Sequence, residues 1–475
     1  MQLKRKRKGS VSRTLSFVTA NLFIATGVHA QESAEPLPAS APVTSAEFDD
    51  DTESDLGTIK IDSAVLFYKE SGGRVQAIEP VIGVTVNSQN GNIWSAKLTV
   101  DSLTGASPNG ATPWRQVQTF MNPIKGGERE DEDDDDGGET RTGASGVTVV
   151  NPVNGLTVRQ YTTPANILPL DSSFKDTRVA LDLGFSTLLN PDLRLSLGVN
   201  GSNEYDYKSL SGSIGIAKDL NQKNTTLSLG ANFAHDVSRP VFGSPIPLSV
   251  QDGTPGGASK SKNVFSVVGG VTQVMSRRWL TQVNYSFGSS NGYHNDPYRI
   301  LSVVDSVSGA PLLYRYENRP NSRTRHSIYI GNKIAIGPTV ADISARVYRD
   351  SWGIKSLTAE ISERFPVTSG VYLEPSARYY HQSAADFFKN YLVQGQMLPQ
   401  FASSDYRLDK FNAVTYGLKA GMKIVANGEI YLQGEHYKQS GTKHPAGVIG
   451  DLANQNLFGG VKALSVVFGF RYTFR

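Results

Sequence analysis

The chain of 475 residues contains 47 basic and 44 acidic residues, a formal net charge of +3, and no cysteine. The lack of cysteine excludes disulfides, thiolate metal ligands and covalently attached haem. Six basic and no acidic residues fall within residues 1–30, so the rest of the chain carries 41 − 44 = −3. This balance does not favour a nucleic-acid partner.

Residues 1–30 have the order of an export signal. A basic run, Lys4 to Lys8, precedes a diluted apolar stretch, and Val28-His29-Ala30 resembles a small-residue cleavage site. A short membrane anchor is the alternative, although the apolar stretch is shorter than the ~20 residues that span a bilayer. Residues 31–55 are rich in Ala, Pro, Ser and Asp, and we predict a disordered, acidic periplasmic lead-in there.

From Ile59 to Phe474, apolar and polar residues alternate in many short runs. A step of two places one set of side chains on each face of a β-strand. The runs predict sixteen strands, at about 59–68, 75–87, 93–103, 176–189, 192–202, 207–218, 224–237, 263–275, 279–290, 324–336, 339–350, 356–367, 371–382, 411–425, 428–438 and 463–474.

The gaps between these runs alternate in length. Gaps after even-numbered strands are short turns such as Asn90-Gly91, whereas those after odd-numbered strands are often long, the largest being 104–175. Short periplasmic turns and long outside loops are typical of bacterial outer-membrane barrels. For residues 56–475 we therefore predict an all-β fold, a transmembrane antiparallel up-and-down barrel of about 16 strands. Fourteen or eighteen strands, or a soluble β-sandwich or propeller, are the alternatives.

Several local motifs, spread from about residue 59 to the end, resemble an uncharacterised bacterial family of predicted outer-membrane barrel proteins. The resemblance implies an exported barrel and brings no established activity. The matching stretches are Asp101 to Pro108, Ser145-Gly146, Glu204 to Tyr207, Lys223 to Leu227, His294 to Arg299, Arg319 to Arg325 and Tyr379 to Gln382.

An acidic run at residues 128–136 has eight acidic groups in nine residues. Oxygen-rich loops can bind Ca²⁺, but this run lacks the spaced pattern of a calcium loop. Blocks of like charge usually repel one another and stay solvated. We therefore expect an outside loop that attracts cations without a specific site.

Two further loop segments contain candidate ligand residues. Asp296, in His294 to Arg299, could ligate a metal, but Asn-Asp-Pro is also a strong turn former. Arg319, Arg323 and Arg325 could bind phosphate groups of a substrate or lipid. They could equally neutralise the acidic run, if the loop carrying it folds inward.

Charged residues on the polar faces of the strands are predicted to line a lumen, because lipid-facing Arg or Lys costs ~2–4 kcal/mol at mid-bilayer. Opposite charges four residues apart, such as Arg178 with Asp182 and Glu374 with Arg378, indicate pairs on these faces. The pore-lining candidates are Arg178, Asp182, Arg194, Glu374 and Arg378.

We interpret the chain as an outer-membrane pore for small solutes. The loop 104–175 would narrow this pore if it folds into the lumen. The alternative is a plugged barrel that acts as an interaction or assembly platform. An embedded enzyme is third, because no catalytic motif is present and the neighbours His326 and Ser327 should point to opposite faces. The expected partners are outer-membrane lipid, the barrel assembly machinery and a small solute; no cofactor is expected. The last strand alternates Phe and Tyr like the assembly signal of such barrels, although Arg475 follows Phe474.

Overall fold

The computed structural model describes residues 56–123, 147–152 and 154–475, apart from the side chains of residues 123 and 172–175. It contains twenty-two strands, numbered here in chain order, sixteen of which form one closed antiparallel barrel. The barrel strands are β1 (Thr58–Glu70), β2 (Gln76–Asn87), β3 (Ile93–Pro108), β7 (Leu170–Asn190), β8 (Leu193–Asn203), β9 (Tyr207–Leu220), β10 (Thr225–Ser238), β11 (Lys260–Ser276), β12 (Trp279–Gly292), β15 (Ser322–Ile336), β16 (Thr339–Asp350), β17 (Lys355–Pro366), β18 (Val371–Gln382), β20 (Phe411–Val425), β21 (Gly428–Gly441) and β22 (Lys462–Phe474).

The other six strands form two small sheets inside the connections. One sheet has the order β4-β6-β5 and the other β14-β13-β19. Their bounds are β4 (Gln118–Pro123), β5 (Val147–Val150), β6 (Thr157–Thr163), β13 (Ile300–Val304), β14 (Pro311–Tyr316) and β19 (Leu392–Val393). Two short 3-10 helices, Tyr406–Leu408 and Gly450–Asn454, complete the described secondary structure. Within the described ranges, no helix is both long and apolar enough to cross a membrane.

The predicted fold and strand count are confirmed. Each barrel strand pairs with its neighbours in sequence, and β1 pairs with β22 from Ile59 opposite Phe474 to Glu70 opposite Ala463. The large gap is shorter than predicted, because Gly105 to Pro108 extend β3 and pair with β7. Residues 1–55, the acidic run 128–136 and Ser145-Gly146 lie outside the described residues.

The outer face of the barrel is an apolar belt. Large apolar side chains are exposed on every second position of most strands, and they include Leu181, Ile214, Leu229, Ile328, Ile361, Leu418, Leu432 and Phe468. Exposed apolar area of this extent is unfavourable in water and is what a hydrocarbon solvent requires. The intervening positions face the lumen and are mostly small, polar or charged.

The two ends of the barrel differ. The turn end has short connections, such as Gly337-Pro338, together with the start of β1 and the end of β22. Gly91 and Gly337 adopt φ of 82° and 61° in these turns, a region that glycine occupies without strain. The loop end has the long connections, of which the structure describes residues 109–123 with 147–152 and 154–169, then 239–259, 293–321, 383–410 and 442–461. We call these five connections together the loop plug.

The loop plug is a packed body. Leu301, Val304 and Ala402 are fully buried, and hydrogen bonds join its connections, for instance Asn318 N–H to Ala402 O at 2.9 Å. Phe458 of the plug packs with lumen-facing residues of β1 and β22, among them Leu66 and Val467. The loop end of the lumen is thus filled by five connections, whereas the sequence suggested that a single loop would narrow it.

Candidate functional site in the barrel lumen

The lumen has two unlike walls. Small side chains cover the lumen face of β9 and β10: Ser209, Ser211, Ser213, Ala217, Ser228, Asn232 and Ala234. About half a turn around the sixteen-strand ring, the lumen faces of β16 to β22 have long charged side chains. We call these the charged wall: Asp342, Arg346, Glu360, Arg364, Glu374, Arg378, Lys419, Glu435 and Arg471.

The five pore-lining candidates all lie on lumen-facing positions, but their partners differ from the predicted ones. Arg178 pairs across the sheet with Asp101, and Asp182 lies 3.3 Å from Lys97 Nζ. Glu374 accepts from Arg364 Nε at 2.9 Å, and Arg194 Nη1 donates to Ser186 Oγ at 3.2 Å. Each of these side chains therefore contacts a residue other than the one four positions away on its own strand. The physical reason is distance: four residues span ~13 Å along a strand, whereas cross-strand neighbours lie ~5 Å apart.

Exposure of the lumen ion pairs changes along the barrel axis. Asp62 and Asp342, near the turn end, are paired but have side chains 45% and 46% exposed. Asp236 and Asp350, at the loop end, have paired side chains only 2% and 0% exposed. The lumen is thus open to water towards the turn end and closed by packing towards the loop end.

Two charges at the middle of the charged wall are left without an ion pair. Glu360 and Arg378 are directly opposite each other on β17 and β18. No hydrogen bond or ion pair joins either side chain to another group in the described part of the chain. An unpaired charge in a dry interior costs many kcal/mol, so these groups require water around them. The middle of the lumen is therefore a hydrated region.

Aromatic rings order part of the charged wall. The Tyr372 ring lies under the guanidinium of Arg364, 4.0 Å from its centroid, and its hydroxyl donates to Glu429 Oε1 at 2.7 Å. A Cβ added to Gly421 on the neighbouring strand would lie 2.2 Å from the ring. Only glycine lets the ring lie against the strand and hold Arg364 in place.

We expect Gly421→Ala to destabilise the barrel by about 1–3 kcal/mol, because the ring must move to admit the methyl group. Gly434→Ala on β21 is the matched control, since nothing lies within 4 Å of its added Cβ. Urea unfolding of both variants in lipid vesicles measures the difference. Equal stability of the two variants would show that the ring adjusts freely.

A buried network of charged side chains links the connections 293–321 and 383–410 of the loop plug. Arg319 Nε lies 2.6 Å from Glu317 Oε1, and Arg319 Nη2 lies 2.9 Å from Asp405 Oδ2. Arg407 contacts Asp405 at 2.5 Å and Asp296 at 3.1 Å. Burial acts to raise the pKa of Asp405, but Arg407, Arg299 and Arg319 outweigh it and hold that pKa well below its usual value. We call Asp296, Arg299, Glu317, Arg319, Asp405 and Arg407 the plug network.

The structure places Asp296 and Arg319, two of the candidate ligand residues, within the plug network. Asp296 accepts from Tyr298 N–H at 3.1 Å, forming the turn that the sequence indicated, and also pairs with Arg299 and Arg407. Within the described residues, Arg319 neutralises Glu317 and Asp405. The acidic run 128–136 lies outside these residues, so its neutralisation by the arginines stays a prediction.

The remaining arginines and the nearby histidine are placed by β15. Arg323 pairs with Asp350 at 2.6 Å and stacks over Trp352, while Arg325 lies in the lumen beside Gly288. His326 is on the outer face with its Nδ1 2.8 Å from the Tyr285 hydroxyl, and Ser327 lies on the other face. These neighbours therefore do not converge on one reacting group.

The sequence reasoning missed one group of acidic residues at the loop end. Asp176, Glu204 and Asp206 each place a carboxylate oxygen within 4.8 Å of the others. Burial, with added repulsion from Asp176, raises the pKa of Glu204 to about 8. Glu204 to Asp206 was noticed only as a motif, because β7 and the β8–β9 connection meet only in the folded barrel.

A closed antiparallel barrel, apolar outside and polar inside, defines this chain as a β-barrel of the outer-membrane type. It belongs to the family described as "Protein of unknown function (DUF3570)", whose model matches residues 29–472. A comparison with curated proteins finds no match.

Several solved structures have a similar fold at low identity. A "Bacterial polysaccharide outer membrane secretin" is 8% identical with a TM-score of 0.41, and the alignment covers 89% of this chain and 99% of that one. The ferric enterobactin receptor (PfeA) of Pseudomonas aeruginosa is 11% identical with a TM-score of 0.41. That alignment covers 87% of this chain and 60% of the receptor. The "CymD monoaromatic hydrocarbon channel" is 6% identical with a TM-score of 0.34, covering 89% of each chain.

Proposed function

We propose that this protein is exported to the outer membrane, where it forms a narrow pore for small polar solutes. The apolar belt supports contact with lipid, and the short-turn and long-loop ends support insertion with the turn end facing the periplasm. Cleavage of residues 1–30 and recognition of the last strand by the barrel assembly machinery belong to the same proposal.

The observation that supports the pore most strongly is the hydrated charged wall. Among the described residues, Glu360 and Arg378 face each other without a direct hydrogen bond or ion pair, and a core built only to be filled would normally pair such charges closely. The wall opposite these charges has mostly small side chains. The loop plug restricts passage at the outer end, so the conductance should be low.

If the protein is a pore, reversing the charge at Arg378 should change the preference of the pore for cations or anions. In planar bilayers the protein should give small stepwise conductances, and Arg378→Glu should shift the reversal potential in a salt gradient towards cation selectivity. The reason is that a fixed charge in a narrow polar passage raises the concentration of the opposite ion. Arg349→Glu is the control, because Arg349 is exposed on an outward position near the loop end.

Two results would count against the pore. An electrically silent bilayer, with the protein shown to be inserted, would contradict an open passage. An equal shift from Arg378→Glu and Arg349→Glu would place the effect at the mouth and not in the lumen.

A plugged interaction platform is the second candidate. It is favoured by the packed loop plug and by apolar side chains exposed at its tips, such as Met397 and Val307, which are 94% and 80% exposed. A photo-crosslinking residue at position 397 should then trap a partner protein in cells, whereas one at exposed Asp192 on the turn end should not. Recovery of the barrel alone from both positions would oppose this candidate. We rank an embedded enzyme third.

A further inference from the structure

We propose that Asp176, Glu204 and Asp206 form a binding site for one divalent cation, specifically Ca²⁺, at the loop end of the barrel. The site is independent of the proposed pore. Asp176 belongs to β7 and lies beyond the end of its pairing with β8, while Glu204 and Asp206 belong to the short connection between β8 and β9.

The geometry of the three carboxylates suits a single ion. One oxygen from each residue lies within 4.8 Å of the other two. Oxygen ligands lie 2.3–2.6 Å from Ca²⁺, so two ligands on opposite sides of one ion are ~5 Å apart. Three carboxylate oxygens at the observed spacing can therefore surround one ion, with water completing its coordination.

The second observation is the buried, unpartnered carboxylate of Glu204. Only 9% of the residue is exposed, and its side chain points towards the two other carboxylates. No hydrogen bond or ion pair to its side chain exists within the described residues, and the nearby Arg178 pairs with Asp101. A buried acidic group normally has such a partner, so its surroundings lack one positive charge.

The other two carboxylates are held in position and keep oxygens free. Asp206 Oδ2 accepts from the Tyr298 hydroxyl at 2.6 Å, and Asp176 Oδ1 lies 3.4 Å from Tyr205 N. The Glu204 N–H bonds to Tyr207 O at 2.7 Å and fixes the connection. Ca²⁺ fits better than Mg²⁺ because it accepts irregular oxygen geometry, whereas Mg²⁺ demands a near-ideal octahedron.

A bound ion would join two parts of the molecule. Asp176 belongs to β7 of the barrel wall and Glu204 to the β8–β9 connection, while Asp206 is hydrogen-bonded to Tyr298 in the connection 293–321 of the loop plug. Ca²⁺ would therefore stabilise the docking of the plug as well as the rim of the barrel.

The test uses the full exported protein in detergent micelles, with Tb³⁺ as a luminescent probe that Ca²⁺ displaces. Tyr205 and Tyr298 lie next to the carboxylates and should sensitise Tb³⁺ emission. We expect about one sensitised ion per chain, displaced by Ca²⁺ with a Kd on the order of 10⁻⁴–10⁻³ M, as in extracellular calcium modules. Glu204→Gln should weaken binding by about tenfold or more, because one charged ligand is lost.

Two variants separate this site from other acidic groups. Asp192→Asn makes the same type of change at the exposed turn end and should leave the sensitised signal unchanged. A variant with Asp133, Asp134, Asp135 and Asp136 all changed to Asn tests the acidic run and should also keep the signal.

Thermal unfolding gives a second readout. Without Ca²⁺, Glu204→Gln should be at least as stable as the parent protein, because one of three repelling carboxylates is removed. Added Ca²⁺ should raise the unfolding temperature of the parent and not that of the variant. The proposal is overturned if Ca²⁺ at about 10 mM, well above the expected Kd, displaces no Tb³⁺. It is equally overturned if the parent and Glu204→Gln respond alike.

Discussion

Arg319→Ala is expected to release the loop plug while leaving the barrel intact. Arg319 is 5% exposed and neutralises Glu317 and Asp405, so its loss leaves two buried acidic groups short of positive charge. Removing one partner from a buried ion pair typically costs about 3–5 kcal/mol. That cost falls on the docking of the connections 293–321 and 383–410, because both residues that lose a partner lie there.

Limited trypsin digestion in lipid vesicles measures this effect. The variant should be cut faster within 383–410, and its heat-modifiable mobility on electrophoresis should remain that of a folded barrel. If the pore proposal is right, its single-channel conductance should also increase.

The control is Arg115→Ala, which removes another ion pair of the loop plug. Arg115 contacts Asp451 at 2.7 Å, but the two side chains are 59% and 40% exposed. Exposed pairs contribute about 0–1 kcal/mol, so we expect no change in digestion. Equal digestion of both variants, or loss of the folded barrel in Arg319→Ala, would refute a locking role for the plug network.

The barrel could be predicted from sequence because its determinants are local. Val466, Phe468 and Phe470 alternate with small or polar residues, and the solvent on each side of one strand fixes that alternation. Turns such as Asn90-Gly91 lie where the pattern breaks, and each depends on a few adjacent residues. Because alternating runs and turns follow one another along the whole chain, few ways of connecting the strands are possible.

The contacts inside the lumen could not be predicted in the same way, because they depend on register and on distant segments. Arg178 and its partner Asp101 are 77 positions apart, and Arg319 and Asp405 are 86 apart. A shift of pairing by two residues would preserve the alternation and change every partner. The faces of the charged residues were therefore predictable, whereas their partners were not.

The dependence on distant segments also explains why the sequence predicted one loop in the lumen and not the five connections of the loop plug. Its long connections are irregular in sequence, and short strands such as β13 become visible only when β14 and β19 pair with them. Packing of Leu301 and Ala402 then depends on two connections meeting over the lumen. No local sequence pattern predicts that two distant connections pack together. The number of apolar residues in these loops does indicate that the loops are packed.

Ile361→Arg is expected to destabilise the protein in lipid vesicles by about 2–4 kcal/mol. Ile361 lies at the middle of β17, is exposed on the outer face and is directly opposite the outward-facing Ile343. An arginine there would place its charge in the hydrocarbon core, where no water or counter-ion compensates it. Urea unfolding of the vesicle-inserted protein measures the loss.

The preceding residue provides a matched control. Glu360 is one position away, at the same depth on the same strand, but faces the hydrated lumen. Glu360→Gln should therefore change stability little, because the polar side chain stays in water and adds no charge beside Arg378. The size of the Ile361→Arg effect also distinguishes lipid from water on the outer face. In an aqueous β-protein, replacing an exposed isoleucine by arginine is close to neutral, so a loss confined to position 361 requires lipid on the outer face of the barrel.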